Sequence, residues 1–251
     1  MVAADAGAKD VTKCTSLELL SLAANAIIDH NKYSKKVKII AKKSTEIVAG
    51  EDMSKKADLI ISDFLSEDFT ERSVLSTILD ANQKLLSENG KMIPESAEIK
   101  IALLGESPEI NDKLTVGTVN GYDLAQFNTI MAKKLICKLY EKPSFLSKPE
   151  VAFTLDFYNK NKIDREEKIL HIEVIENSLC LGVIQWSRLA LFKEISYENR
   201  PGIDDCRTCP PIYLFENPIE VLAGQTLKVK AIFNSEYGIW FDFIELIHSK
   251  S

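Results

Sequence analysis

The chain has 251 residues, 45% of them hydrophobic and 27% charged, the composition of an ordinary globular protein and not of a disordered, fibrous or membrane-embedded one. Its 31 basic against 37 acidic side chains leave a net charge of −6, which argues against a broad nucleic-acid or anionic-lipid surface. No apolar run approaches the roughly 20 residues that span a bilayer, and the opening MVAADAGAKD has none of the regions of a signal peptide. The expectation is an intracellular protein, cytoplasmic or nuclear, whose partners include neither nucleic acid nor membrane.

Thr15 or Ser16 is positioned to cap a helix in which Leu19, Leu20, Ala23, Ala24, Ile27 and Ile28 recur at helical spacing, ending by Asn31. After a basic turn over Lys32 to Lys36, Val37 to Ile40 reads as a short strand and Asp58 to Ser62 as another, apolar enough to be buried; the two are expected to run parallel. The helical period returns from Ser73 to Leu86, with Glu88-Asn89-Gly90 as the turn that ends it. Beyond Pro94 the period drops to two. Lys134 to Tyr140, Lys148 to Phe157, Lys168 to Glu176 and Val183 to Phe192 are strand candidates, and Leu227 to Phe233, a turn over Asn234 to Gly238, and Ile239 to Ile247 read as a β-hairpin. The expected architecture is therefore an α/β layer over residues 1–94 followed by an antiparallel β-barrel or sandwich over residues 95–251.

Chemistry is sparse. The ten glycines include no Gly-x-Gly, so loops that press adjacent backbone N–H groups against a phosphate are excluded. Five cysteines, Cys14, Cys137, Cys180, Cys206 and Cys209, read as reduced thiols. Cys206-Arg207-Thr208-Cys209 is half of a zinc motif, but no second half follows, and no metal is expected. Asp63 closes an apolar strand, at the kind of edge where α/β sheets build ligand sites; capping the next turn is its plainer role. Ser66-Glu67-Asp68 and Glu71-Arg72 follow on the same loop, where carboxylates could hold a guanidinium bidentately or simply face solvent.

One stretch is more specific. VKIIAKKSTEI, then GEDMSKKADLIISDFLSEDFTERSVLSTILDANQKLLSENGKMIP, then a strand ending in LLGES, resembles the protein arginine N-methyltransferases, above all the group with two methyltransferase modules in one polypeptide. The likeness continues through FLSKPEVAFTLDF at 145–157, Gln185-Trp186 and the segment from Gly224 to Leu246. It implies a Rossmann-like S-adenosylmethionine layer followed by a β-barrel. Because the family's glycine-rich loop matches a position before Met1, the layer is expected to be incomplete.

The same resemblance implies where a site would lie and how this chain departs from it. Glu46 matches a cofactor-binding position. The acid that holds the ribose hydroxyls falls on Thr15, which offers a single hydroxyl. Of the two glutamates that grip the substrate guanidinium, the first matches Asp63 and the second matches Arg72, a reversal of charge. The family's Thr-His-Trp-like barrel loop reads Thr208-Cys209-Pro210. These departures point to a degenerate module, similar to the cofactor-free half of the two-module members: a pseudoenzyme that does not hold S-adenosylmethionine and partners a catalytic methyltransferase module, in the same or another chain, with protein substrates as further contacts. A weakly active S-adenosylmethionine-dependent arginine methyltransferase and a stand-alone protein-binding module are the alternatives.

Overall fold

Which strands find partners decides how the chain divides. The computed structural model describes residues 1–63, 74–114, 116–130, 132–137, 142–159, 165–203, 208–235 and 237–247. They form two compact units, one of Met1–Ile61 with Thr77–Met92, the other of Ser62–Ser76 with Ile93–Ser251.

The first unit contains α1 (Val2–Asp5), β1 (Val11–Cys14), α2 (Glu18–His30), β2 (Val37–Ile40), β3 (Ala57–Ile61), most of α3 (Val74–Leu85) and most of β4 (Leu86–Ile93). β1 and β2 pair in parallel, Val11 beside Val37 through Cys14 beside Ile40, with α2 as the crossover. Small apolar clusters hold it: Ala4, Ile28 and Val37 in one, Ile40, Ile47, Ala81 and Leu85 in the other.

Several expectations need correction here. The parallel partner of β2 is β1, not the strand at 57–61, which pairs with β4 instead. That strand is not buried either: Leu59 is 47% and Ile61 62% exposed, because a two-stranded ribbon leaves one face without a second layer. Thr15 and Ser16 do not cap α2. Thr15 continues the β1 ladder, its N–H donating to Ile40 O at 3.0 Å, so the cap position passes to Leu17, whose apolar side chain accepts no hydrogen bond. Glu88-Asn89-Gly90 lies inside β4 rather than in a turn. Gly90 packs closely there: a Cβ would sit 2.6 Å from Leu86 Cδ1, which would have to turn aside, and 3.0 Å from Ala57 O.

The second unit is antiparallel sheet. It comprises β5 (Ser96–Gly105), α4 (Pro108–Leu114), the short hairpin β6 (Thr118–Val119) and β7 (Tyr122–Asp123), β8 (Lys134–Ile136), β9 (Glu150–Asp156), β10 (Arg165–Glu173), β11 (Ser178–Phe192), β12 (Ile195–Glu198), β13 (Pro211–Val221), β14 (Thr226–Asn234) and β15 (Gly238–Ile247). Six strands pair in the order β8-β13-β11-β5-β9, with β12 on β11, and three in the order β10-β14-β15. The alternating run from Leu227 to Phe233 forms β14, with Asn234 opposite Gly238 across its turn. Of the strand candidates, Lys134 to Tyr140 shortens to β8, its last residues lying outside the described ones; β5 and β13 had no strand assigned from periodicity.

Residues Ile99 to Leu104 are apolar on both faces apart from Lys100, because β5 lies inside its sheet and is covered on each side. Burying each such aliphatic side chain contributes about 1.5–3 kcal/mol. Aromatic pairs bridge the two sheets: Phe153 to Phe233 at 5.9 Å between ring centroids, Tyr213 to Phe241 at 5.1 Å and Phe215 to Phe243 at 5.8 Å. Among the described residues no backbone ladder joins β13 to β15.

β13 changes register abruptly. Gly182 of β11 faces Leu214, yet Cys180 faces Ile219, so Leu181 alone stands opposite Phe215, Glu216, Asn217 and Pro218. The ladder on one side of this bulge closes only because residue 182 has no side chain: a Cβ there would lie 2.0 Å from Tyr213 O and 2.9 Å from Leu214 Cα. Beside it, burial pushes the Cys180 thiol up to about 12, which leaves it protonated and unreactive.

Candidate functional site

The carboxyl ends of parallel strands are where βα units collect ligands, and in the first unit that edge carries Thr15, directly after β1, and the turn after β2 that bears Glu46. Thr15 is half-buried, and its Oγ1 lies 3.5 Å from the Leu17 N–H, a marginal hydrogen bond. Glu46 is exposed and closes its own turn: its Oε2 accepts from Lys43 N at 3.3 Å while its N–H donates to Lys43 O at 3.0 Å. The loop beyond is pinned by Asp52. Its carboxylate takes the Lys42 ammonium at 2.6 Å and the Val48 N–H at 3.0 Å, and its carbonyl takes the Lys38 ammonium at 2.9 Å. The edge thus offers one hydroxyl at Thr15 and, at Glu46, a carboxylate with Oε2 turned to the Lys43 N–H.

The hydrogen bond from Lys42, then that from Val48, holds the Asp52 carboxyl below the usual carboxylate range. A depressed folded-state pKa stabilises above the unfolded value, near 4, and that contribution is lost as pH falls through the folded one. Asp52→Asn is therefore expected to flatten the acid side of the stability profile of the first unit, read as the change in melting temperature between about pH 5 and pH 3; an unchanged slope would mean that the loop does not depend on this pair.

Asp63 lies in the second unit, two residues past the end of β3, with its side chain exposed. Its neighbours in the substrate-loop reading, Ser66, Glu67, Asp68, Glu71 and Arg72, lie outside the described residues, as do Cys206 and Arg207. Among the described residues no three His, Cys, Asp or Glu side chains gather as metal ligands do.

The barrel-side loop is held closely where it is described. Asn199 Oδ1 accepts from Ser187 N at 2.7 Å, its own N–H donates to Ser187 O at 3.1 Å, and its amide nitrogen donates to Thr208 Oγ1. Pro210 O accepts the Cys137 N–H at 2.8 Å. Below the loop, Trp186 is 1% exposed. Its indole N–H donates to Glu198 Oε1 at 2.6 Å, Lys100 reaches the same oxygen at 3.4 Å, and the Arg200 guanidinium lies 5.2 Å from the Phe145 ring and 5.8 Å from the Trp186 ring.

Sequence reasoning missed the apolar surface. On α2, Leu19, Leu20, Leu22 and Ile27 are exposed, and only Ser21 and Ile28 are buried. In the second unit the segment between β5 and β9 carries exposed Val119, Tyr122, Phe127 and Ile130; the Asn128 side chain ties it to Val116 by accepting from its N–H at 2.8 Å and donating to its carbonyl at 3.0 Å. The signal for α2 was present: its apolar residues extend well beyond a single stripe, as in helices covered on more than one side.

No family model matches the chain. Over its whole length it is 25% identical to protein arginine N-methyltransferase 7 of Drosophila erecta, of which it covers 42%, and it is 25% identical over 92% of its length to an arginine N(omega)-methyltransferase of Streptomyces achromogenes, covering 64% of that protein. It thus spans less than half of the Drosophila relative. Among solved structures, the Trypanosoma brucei PRMT1 enzyme-prozyme heterotetrameric complex with AdoHcy superposes with a TM-score of 0.80 at 19% identity, over 91% of this chain and 73% of that one. Protein arginine methyltransferase 10 of Arabidopsis thaliana superposes at 0.74 and 16% identity, over 97% and 85%. These likenesses bear out the family resemblance read from the sequence, and with it the fold class.

Proposed function

We propose, from this likeness to the protein arginine N-methyltransferases, that the chain serves as a non-catalytic module of that family, packing against a catalytic module in the same or another polypeptide as the second half of a pseudo-dimer. The observation that carries the reading is the apolar face of α2, where Leu19 is 77% and Leu22 62% exposed. A cluster of large apolar side chains of this kind marks an interaction surface; the second unit, by itself, carries another exposed apolar group in Tyr122, Phe127 and Ile130. The Trypanosoma relative, described as an enzyme with a prozyme, is a precedent for such a division of labour. The residues at the matched positions agree: Thr15 in place of a carboxylate, Arg72 in place of a glutamate and Thr208-Cys209-Pro210 in the barrel loop each remove a group that binding or transfer would use.

The test is co-expression with a catalytic module of the family, followed by light scattering on the purified complex. A one-to-one assembly is expected, and Leu19→Asp with Leu22→Asp should abolish it while leaving the circular dichroism of the chain unchanged, since both side chains already face water. The chain alone should neither bind S-adenosylmethionine in calorimetry nor transfer labelled methyl groups to an arginine-rich peptide. Saturable cofactor binding with transfer would make it a weak methyltransferase; failure to assemble, with other proteins co-purifying, would make it an independent binding module. Arg72→Glu with Asp63→Glu should create guanidinium affinity if Arg72 is what blocks the pocket.

A further inference from the structure

The bulge in β13 and the unpaired edge of β15 bound a groove of about 460 Å³, lined by Lys133, Leu214 to Asn217, Ile219 and Phe241 to Phe243. It lies wholly within the second unit, and its chemistry does not draw on the pseudo-dimer reading.

Three observations define what it can hold. First, both of its long sides are strand edges. β15 ends the three-stranded sheet, and past Leu214, whose N–H donates to Lys133 O at 2.7 Å, β13 has no partner on that side among the described residues. Phe215 to Pro218 are also out of register with β11. Open edges of this kind accept an added strand. Second, the side chains alternate. Phe215 and Phe241 are buried in the floor and Phe243, against the Phe215 ring, is 36% exposed, while Glu216 and Asp242 stand exposed at the rim. Third, the rim is acidic. Among the described residues its lining carries Glu216 and Asp242 against Lys133 alone; of the lysines nearby, Lys228 meets Glu245, Lys134 lies over the Tyr213 ring, and Lys230, opposite Asp242 in the β14–β15 ladder, has its ammonium on Glu167.

We propose that this groove takes an extended segment of another protein as an added strand, and that the segment alternates apolar side chains, which meet the phenylalanine floor, with basic ones, which stand between Glu216 and Asp242. Opposite charges directly across a strand pair are favourable and like charges are not, so the rim selects the basic sequence and rejects an acidic one. The apolar floor supplies contact area, and the two edges supply the backbone partners that fix the direction of the guest strand.

The probe is a seven-residue peptide alternating valine with lysine, carrying fluorescein at its amino end and amidated at the other, measured by fluorescence anisotropy on the full chain. The expected result is saturable binding at least tenfold tighter than that of the twin in which glutamate replaces lysine. Glu216→Lys with Asp242→Lys should reverse that preference; both positions are exposed, so the melting temperature serves as the control for folding. N-methylation of alternate peptide amides should weaken binding at least tenfold, because it removes donors that only strand addition uses. Equal binding of both peptides, indifference to N-methylation, or self-association of the chain that the peptide displaces and the double variant disrupts would each overturn the proposal, the last by assigning the groove to a second copy of this chain.

Discussion

Gly182→Ala is expected to be the most damaging glycine-to-alanine change among the glycines whose surroundings are described. The added carbon would lie 2.0 Å from Tyr213 O and 2.9 Å from Leu214 Cα, and these are backbone atoms of a ladder that cannot rotate aside. Inserting a methyl into a packed core that can yield costs about 1–3 kcal/mol; here β13 must leave β11, so the loss should exceed about 3 kcal/mol, a large share of a typical domain's stability. Urea unfolding followed by tryptophan fluorescence measures it, since Trp186 lies on the same strand. A midpoint shift worth less than about 1 kcal/mol would show that the close approach at Gly182 is not what holds the bulge.

Trp186→Ala should follow closely, at about 3–5 kcal/mol for emptying a fully buried aromatic site. The comparison with Trp186→Phe separates two causes. Phenylalanine keeps most of the area packed edge-on against Phe145, at 6.0 Å between centroids, but it removes the indole N–H that meets Glu198. Glu198 is partly exposed and retains Lys100, so the missing hydrogen bond should cost about 1 kcal/mol and the rest of the alanine effect should be volume. Equal losses in the two variants would instead make the polar contact dominant.

How far the sequence could be read depended on where each segment's partners lie. Alternation from Leu227 to Phe233 marked a strand because its two faces differ, one lining the core and one carrying Lys228 and Lys230. β5 was harder, since Ile99 to Leu104 is covered on both sides and no simple alternation survives. The pairing of β1 with β2 was out of reach for a related reason: Val11–Cys14 is four residues with one lysine, and only the ladder to Val37–Ile40 makes it a strand. Apolar content misled at Leu59 and Ile61, which looked like core residues and are exposed. Of the candidate site only residue identity was legible, Thr15, Arg72 and Thr208-Cys209-Pro210 at the positions the resemblance matches, with Arg72 outside the described residues. The groove beside the β13 bulge was not, because it depends on which strand edges stay open, whereas the apolar face of α2 left a signal in the spread of Leu19, Leu20, Leu22 and Ile27 around the helix.

The order of strands also sets a clock on synthesis. β5 pairs with β9 on one edge and β11 on the other, and β11 begins about 80 residues after β5 does; at the usual 5–20 residues per second it leaves the ribosome several seconds later. Throughout that interval the run Ile99 to Leu104 has at most one neighbour, and its apolar side chains are open to whatever else is nearby. Yield in a cell should therefore respond to chaperone supply and to translation speed between residues 105 and 190 more strongly than the stability of the finished sheet would suggest.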